Sequence, residues 1–360
     1  MRWWRRQRPR HKTARQADPQ QVLRDADRQA DSGDLRGAID TLMAGNLASR
    51  SDRIEQRLIE LRSAAAEAFV WPESRPAWPE RVPNRFEGTP FPEVDSTDLD
   101  LDALRSAMTH QGSLLVRGVI GAERVAELRD DIDRALASFD AVAGGDAGGD
   151  THRFYTPFGR DKSSDRERKR SRGSILTVES PATMFDLLET FSEVGFDKLV
   201  TEYFGEAPLL LGRKGTLRRI DHTGNTGGWH QDGAFMGAGI RSLNIWIPLT
   251  HCGDTAPGMD LVAKRLDYIV PTGEGAFSPW ATSPAEAEKV AAGALVRPIF
   301  EPGDALFFDQ MNLHRTAIDP GMTEDRYAIE TWLLSPSTYV EMMRPNDEGY
   351  SPRDQIPILF

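Results

Sequence analysis

From Pro208 onward the chain is cut into short apolar runs by glycine and proline, and no other feature restricts its fold as much. PLLLGRKGTLRRI, SLNIWIPLT, MDLVA, DALFFDQ and RYAIETWLL each have the length and composition of strands, with turn residues between them. Short strands at this spacing suit a sandwich or barrel and argue against a parallel sheet wound with helices. The fold class expected is therefore mainly β with flanking helices, α+β in kind.

Helices are expected ahead of that region. Val22, Leu23, Ala26 and Ala30 share one face, Ser32-Gly33-Asp34 breaks the pattern, and Leu35, Ala38, Ile39, Leu42 and Met43 resume it. Asp52 is placed to cap a third helix lined by Ile54, Leu58, Leu61 and Ala65. The helix–SGD–helix pair in this extension, residues 20–70, resembles a single tetratricopeptide-like hairpin. One such repeat cannot bury its own face. It is expected to pack on the main domain or on a second copy of the chain, which would make a homo-oligomer.

A basic segment, residues 1–19, precedes the helices and reads as a disordered tail. Prolines recur through 71–92 as in a linker. The main domain is expected over 93–345, with a short helix, the strand Leu114–Ile120, an amphipathic helix bearing Val125, Leu128, Ile132 and Leu136, and one helix around Phe185–Phe204. Inside it, residues 141–173 are glycine-rich and then strongly basic, and read as a mobile loop and a candidate lid. Residues 346–360 read as a C-terminal tail.

Charge and cysteine usage narrow the function classes. The net charge is -11, although residues 1–17 are basic with no acid, so the body is more acidic than the total. An acidic body argues against nucleic acid as the main partner. No apolar run reaches the length of a bilayer span, and none follows the basic tail as in a secretory signal. Cys252 is the only cysteine, which excludes an intramolecular disulfide and a multi-thiolate zinc site and fits a reducing cytoplasm.

Three side chains could share a metal. In GGWHQDGAF, His230 and Asp232 leave the same side of an extended backbone, and Gly227, Gly228 and Gly233 would let the chain turn tightly. His314, delivered just beyond the apolar strand Ala305–Phe308, is the best third ligand. Two imidazoles and one carboxylate form the facial triad that leaves iron(II) open positions for a co-substrate and O2. On the strand RYAIETWLL, Arg326, Ala328, Glu330 and Trp332 share a face. A guanidinium pointing into a barrel needs an anion, such as a bidentate carboxylate. Pairing with Glu330, or exposure at the rim beside Asp325, is the competing account of Arg326.

Taken in order, WHQDGAF, RSLNIWIPLTHCGDTAPGMDLV, PGDALFFDQMNLHRT and Arg326 in RYAIETWLLSP resemble the phytanoyl-CoA dioxygenase-like family, over roughly residues 105–340. The resemblance implies a double-stranded β-helix (jelly-roll, cupin-like) core that uses iron(II), 2-oxoglutarate and O2. It implies that His230, Asp232 and His314 hold the catalytic iron and that Arg326 holds the far carboxylate of 2-oxoglutarate. It places Trp246 near the co-substrate and makes Arg219 a basic contact to it, with Arg218 leaving the register open. The implied activity is hydroxylation of a C–H bond in a small molecule, with release of succinate and CO2. Asp232 is the carboxylate that halogenating relatives lack. The segment APGMDLVAKRLD departs from the family's usual Pro-Gly-Ser-His ending, and the basic residues of 160–172 suggest an anionic substrate. Two rival accounts of the same residues are a zinc hydrolase and a non-catalytic barrel that binds a small acid and engages partners through its helices.

Overall fold

The computed structural model describes residues 18–68, 82–146, 148–159, 162–224, 226–338 and 356–360. The basic tail up to residue 17, residues 69–81 of the proline-rich stretch and residues 339–355 lie outside them.

Three helices open the chain: α1 (Pro19–Asp31), α2 (Leu35–Ala48) and α3 (Asp52–Glu67). Asp18 and Asp34 cap the first two, accepting from the amides of Gln20 and Gly37. Asp52 lies in the first turn of α3, where it suits the helix dipole, and Ser51 stands at the cap position. Next come β1 (Glu93–Asp95), α4 (Leu101–His110), β2 (Ser113–Arg117), α5 (Ala122–Ala143), α6 (Thr151–Phe154), α7 (Ser163–Arg170) and β3 (Ser174–Leu176). α8 (Pro181–Glu193) and α9 (Phe196–Phe204) follow, then β4 (Leu209–Leu211), β5 (Thr216–Ile220), β6 (Trp229–His230), α10 (Gly233–Met236), β7 (Ser242–Pro248) and β8 (Gly258–Val262). The rest are β9 (Ala281–Thr282), α11 (Pro284–Ala291), β10 (Leu295–Val296), β11 (Ala305–Phe308), β12 (His314–Ala317), β13 (Arg326–Leu334) and β14 (Pro357–Leu359).

The strands form two sheets. In the larger, β11, β7, β13 and β5 are neighbours; in the smaller, β10, β8, β12 and β6 are. All these pairings are antiparallel. Followed along the chain, β5 lies in the larger sheet, β6 in the smaller, β7 in the larger and β8 and β10 in the smaller. β11, β12 and β13 then alternate again. A chain that alternates in this way winds a double-stranded β-helix, the expected core. The larger sheet buries both faces. Its outer face, with Ile245, Phe307, Ile329 and Leu333, packs under α4, α5, α8 and α9, while its inner face, with Trp246, Leu306, Phe308, Ala328 and Trp332, meets the smaller sheet.

The opening helices pack on this body. Ile59 joins the main core, Arg50 pairs with Asp186 of α8 at 2.5 Å, and Arg62 donates to the carbonyl of Leu359 at 2.8 Å. Among the described residues, no helix is long and apolar enough to cross a membrane.

Three expectations are corrected. The described residues of 141–173 are not an irregular loop: they carry the end of α5, then α6 and α7, with Phe154 and Tyr155 buried. Their cations have acidic partners at either end, Arg170 on Asp140 and Arg166 on Glu179, both 2.6 Å. The helix expected around Phe185–Phe204 is two, broken at Gly195, whose φ of 78° favours glycine. The C-terminal residues are not wholly a tail, because β14 adds a strand beside β4 with Ile358 fully buried.

Candidate active site

β6 and β12 pair so that His230 stands directly opposite His314, on the face turned toward the larger sheet. Their ring centroids are 4.4 Å apart. Asp232 follows two residues after His230, and one ligand atom from each of the three lies within 4.8 Å of the others. Nε2 of His314 is 3.7 Å from a carboxylate oxygen of Asp232. Ligands about 2.1 Å from a divalent ion stand about 3 Å apart when adjacent, so the side chains need close only slightly on one cation.

The imidazoles are oriented for that task. Nδ1 of His230 is 2.9 Å from the carbonyl of Gly228, and Nδ1 of His314 is 3.1 Å from that of Asn312. Each carbonyl accepts the Nδ1 proton, which leaves both Nε2 atoms as lone-pair donors. Burial and the neighbouring His230 push the His314 imidazole down to about 4, so it is neutral near pH 7.

Convergence does not come from an extended backbone, as the sequence suggested. Asp232 has helical dihedrals, φ -62° and ψ -26°, and stands at the cap position just before α10. Nor do the glycines serve for unusual turning, since Gly227, Gly228 and Gly233 are absent from the positive-φ positions. They serve close approach: a Cβ on Gly228 would lie 2.1 Å from the Phe277 ring, and one on Gly233 would lie 3.1 Å from the Gln310 carbonyl.

The intervening Gln231 fixes the loop. Its amide donates to the carbonyls of Met311 (2.7 Å) and Tyr268 (3.1 Å) and accepts from the Val270 amide at 2.7 Å. One buried side chain thereby ties the first two ligands to the segment that leads into His314.

The inner face of the larger sheet carries Arg326. It is buried, donates to the carbonyls of Gly258 (3.0 Å) and Pro257 (3.3 Å), and has no hydrogen-bond partner at Nε. Among the described residues no carboxylate pairs with it. Burial pushes its guanidinium down to about 10. Trp246 of β7 sits beside it, with the guanidinium carbon 5.4 Å from the ring centre.

Glu330 is not that missing carboxylate. It accepts from Thr216 (3.1 Å), Trp332 (3.1 Å) and Asn244 (3.4 Å) and stands 3.4 Å from Arg218. Burial would raise its carboxyl, but Arg218 and these donors hold it at about 2. Asp325 turns outward instead, to His222 and Arg219.

Arg219 does not reach the site. In the β5–β13 register it lies opposite Tyr327, on the outer face, where it meets Asp325 (3.2 Å) and Asp133 (3.4 Å). Alternation puts Arg218, not Arg219, on the inner face with Thr216. Sequence reading also missed Lys214, whose ammonium is 3.8 Å from Asp232 and 3.8 Å from the centre of the Phe235 ring. Burial lowers its pKa. Lys214 lies in the turn ahead of β5, so no alternation in the sequence could have placed it.

A family model described as phytanoyl-CoA dioxygenase (PhyH) matches residues 108–318, more than half of the chain. None of the curated proteins compared matches it. Solved structures with similarity include EvdO2 from Micromonospora carbonacea var. aurantiaca complexed with 2-oxoglutarate, 16% identical, covering 64% of this chain and 88% of its own, with a TM-score of 0.44. EctD from S. alaskensis with 2-oxoglutarate and 5-hydroxyectoine is 15% identical over 64% of this chain and 74% of its own, with a TM-score of 0.45. The non-heme alpha ketoglutarate dependent epimerase SnoN from nogalamycin biosynthesis is 17% identical over 65% and 83%, also at 0.45. Such distant likenesses add nothing to the geometry above.

Proposed function

The chain belongs to the phytanoyl-CoA dioxygenase family and is an iron- and 2-oxoglutarate-dependent oxygenase; on that premise we propose that it hydroxylates a C–H bond of a small molecule, with release of succinate and CO2, at a centre made by His230, Asp232 and His314. One observation carries this reading. Three side chains able to ligate a metal converge at the smaller sheet, and a buried guanidinium without a carboxylate lies on the inner face of the larger one.

The residues fit the group they would hold. Two imidazoles and one carboxylate suit iron(II) and leave half of an octahedral ion open. The bound iron and 2-oxoglutarate supply the oxidising chemistry, and the protein supplies position and dryness. Arg326 would take the distal carboxylate of 2-oxoglutarate in its fork, recovering solvation lost on burial. Trp246 would hold that guanidinium in place. Gln231 and the two backbone carbonyls keep the ligand rings from rotating, while Phe308, 4.7 Å from the His314 ring, keeps water from its back.

Purified protein supplied with iron(II), ascorbate and 2-oxoglutarate tests the reading. Slow succinate release without added substrate is expected, abolished by His230→Ala or Asp232→Ala in folded protein. Tight zinc retention with no 2-oxoglutarate binding would point to hydrolysis instead, a chemistry that leaves Arg326 without work. Binding of 2-oxoglutarate without turnover, across a range of candidate substrates, would point to a non-catalytic barrel.

A further inference from the structure

We propose that the substrate is an amphipathic monoanion, a carboxylate in class, whose charged group is taken by Lys214 and whose apolar body lies along Phe235, Trp280 and Phe277. This rests on the oxygenase reading above. Lys214 lies in the turn between β4 and β5, its side chain 20% exposed and aimed at the metal ligands. Arg218 is occupied by Glu330 at 3.4 Å, and Arg326 is assigned to the co-substrate. Among the described residues Lys214 has one carboxylate within ion-pair distance, Asp232, whose charge the proposed metal would take, while Glu330 acts on it only from farther off.

Charge counting leads to the same place. Lys214, Arg218 and Arg326 face Asp232 and Glu330, three cations against two anions. Iron(II) and the 2-oxoglutarate dianion cancel, so one positive charge is left in the loaded pocket. A neutral substrate would leave that charge uncompensated as it excludes water, which is costly. A monoanion balances it.

The apolar side of the site continues outward from the same lysine. The ammonium lies over Phe235, whose ring is 5.4 Å from Trp280, and Trp280 is 5.1 Å from Phe277 and 5.9 Å from the His230 ring. Phe277 is 63% exposed. These aromatics therefore run from solvent to a metal ligand, with the cation at the inner end. An exposed aromatic row leading into a polar centre marks a binding groove.

Calorimetric titration of 4-phenylbutyrate and of 4-phenylbutanamide tests this on anaerobic protein loaded with iron(II) and 2-oxoglutarate. The acid is expected to bind about tenfold tighter than the amide or better, as a charge-assisted contact provides. Lys214→Gln should erase that preference, Lys214→Arg should keep it, and Phe277→Ala should weaken both probes by a similar factor. Equal binding of the two probes by the wild type, binding of neither, or a preference that survives in Lys214→Gln would overturn the proposal. So would a raised 2-oxoglutarate Kd in Lys214→Gln, read from the visible absorption of the iron–2-oxoglutarate complex, because it would give Lys214 to the co-substrate. Failure of the wild type to form that complex strikes the oxygenase reading and the charge count together. A normal complex with no preference for the acid strikes only Lys214.

Discussion

Arg326 offers a test in which stability and binding must move in opposite directions. Its guanidinium is buried, its Nε lacks a partner, and its pKa lies at about 10 rather than its ordinary value above 12. That difference corresponds to about 3 kcal/mol of solvation not recovered in the ligand-free fold. Replacing it with methionine, Arg326→Met, keeps much of the volume and removes the charge. The two backbone carbonyls lose a donor, so the net gain in ligand-free stability should be smaller, about 1–2 kcal/mol. Losing one partner of a buried charge pair costs at least about 2 kcal/mol of affinity, which is roughly a thirtyfold rise in the 2-oxoglutarate Kd. At a 2-oxoglutarate concentration of about 100 times the wild-type Kd, bound ligand stabilises the wild type by about 2.7 kcal/mol. The same concentration should give the variant less than about 1 kcal/mol. Thermal unfolding of anaerobic iron-loaded protein, with and without 2-oxoglutarate, reads both effects. A variant that is less stable without ligand, yet is stabilised by 2-oxoglutarate as much as the wild type, would show that Arg326 is a structural residue and not the anchor.

Further outcomes follow from the same geometry. His314→Ala should lose metal, by elemental analysis, while keeping the fold by circular dichroism, because the lost ring leaves two ligands. Gln231→Leu strips three hydrogen bonds from the loop around the ligands; metal affinity should fall about 10- to 100-fold in a metal competition assay, as for other partners that orient ligands. Asp131 on α5 has its carboxyl pushed up to about 7 by burial and by Asp186. Its folded pKa is above the unfolded value, so its ionisation lowers stability as pH rises from about 4 to 7. Asp131→Asn should therefore gain on the order of 4 kcal/mol above pH 7 and nothing near pH 4; an equal gain at both pH values in chemical denaturation would refute the cause.

The legible parts of the site were those with short-range chemical signatures. His230, His314 and Arg326 each stand at a strand end and Asp232 two residues beyond one, where glycine, proline or an apolar run marks the boundary, and alternation along β13 placed Arg326 and Glu330 on one face. The parts that were missed depend on partners far away in sequence. The basic stretch at 160–172 reads as unable to order itself because Asp140 and Glu179 are outside it. β14 is three residues long and gains its meaning only from β4, some 150 residues earlier. Lys214 lies in the turn before β5, where no strand alternation fixes its direction, and only the folded neighbours Asp232 and Phe235 reveal it. Arg219 failed on parity alone: one residue along a strand reverses the face.

That parity failure points to how the site is held. The proposed metal ligands come from β6, the residue pair after it and β12, all on the side of the smaller sheet. Arg326, Trp246, Glu330 and Arg218 come from β13, β7 and β5 of the larger one. The proposed metal ligands and the proposed co-substrate anchor therefore sit on different sheets, held together by the packing between them. Phe308 and Trp332, in edge contact at 5.7 Å beside His314, are part of that packing. If those roles hold, the turns at Lys214 and Phe277 could vary the substrate groove without touching the strands that carry His230, His314 and Arg326.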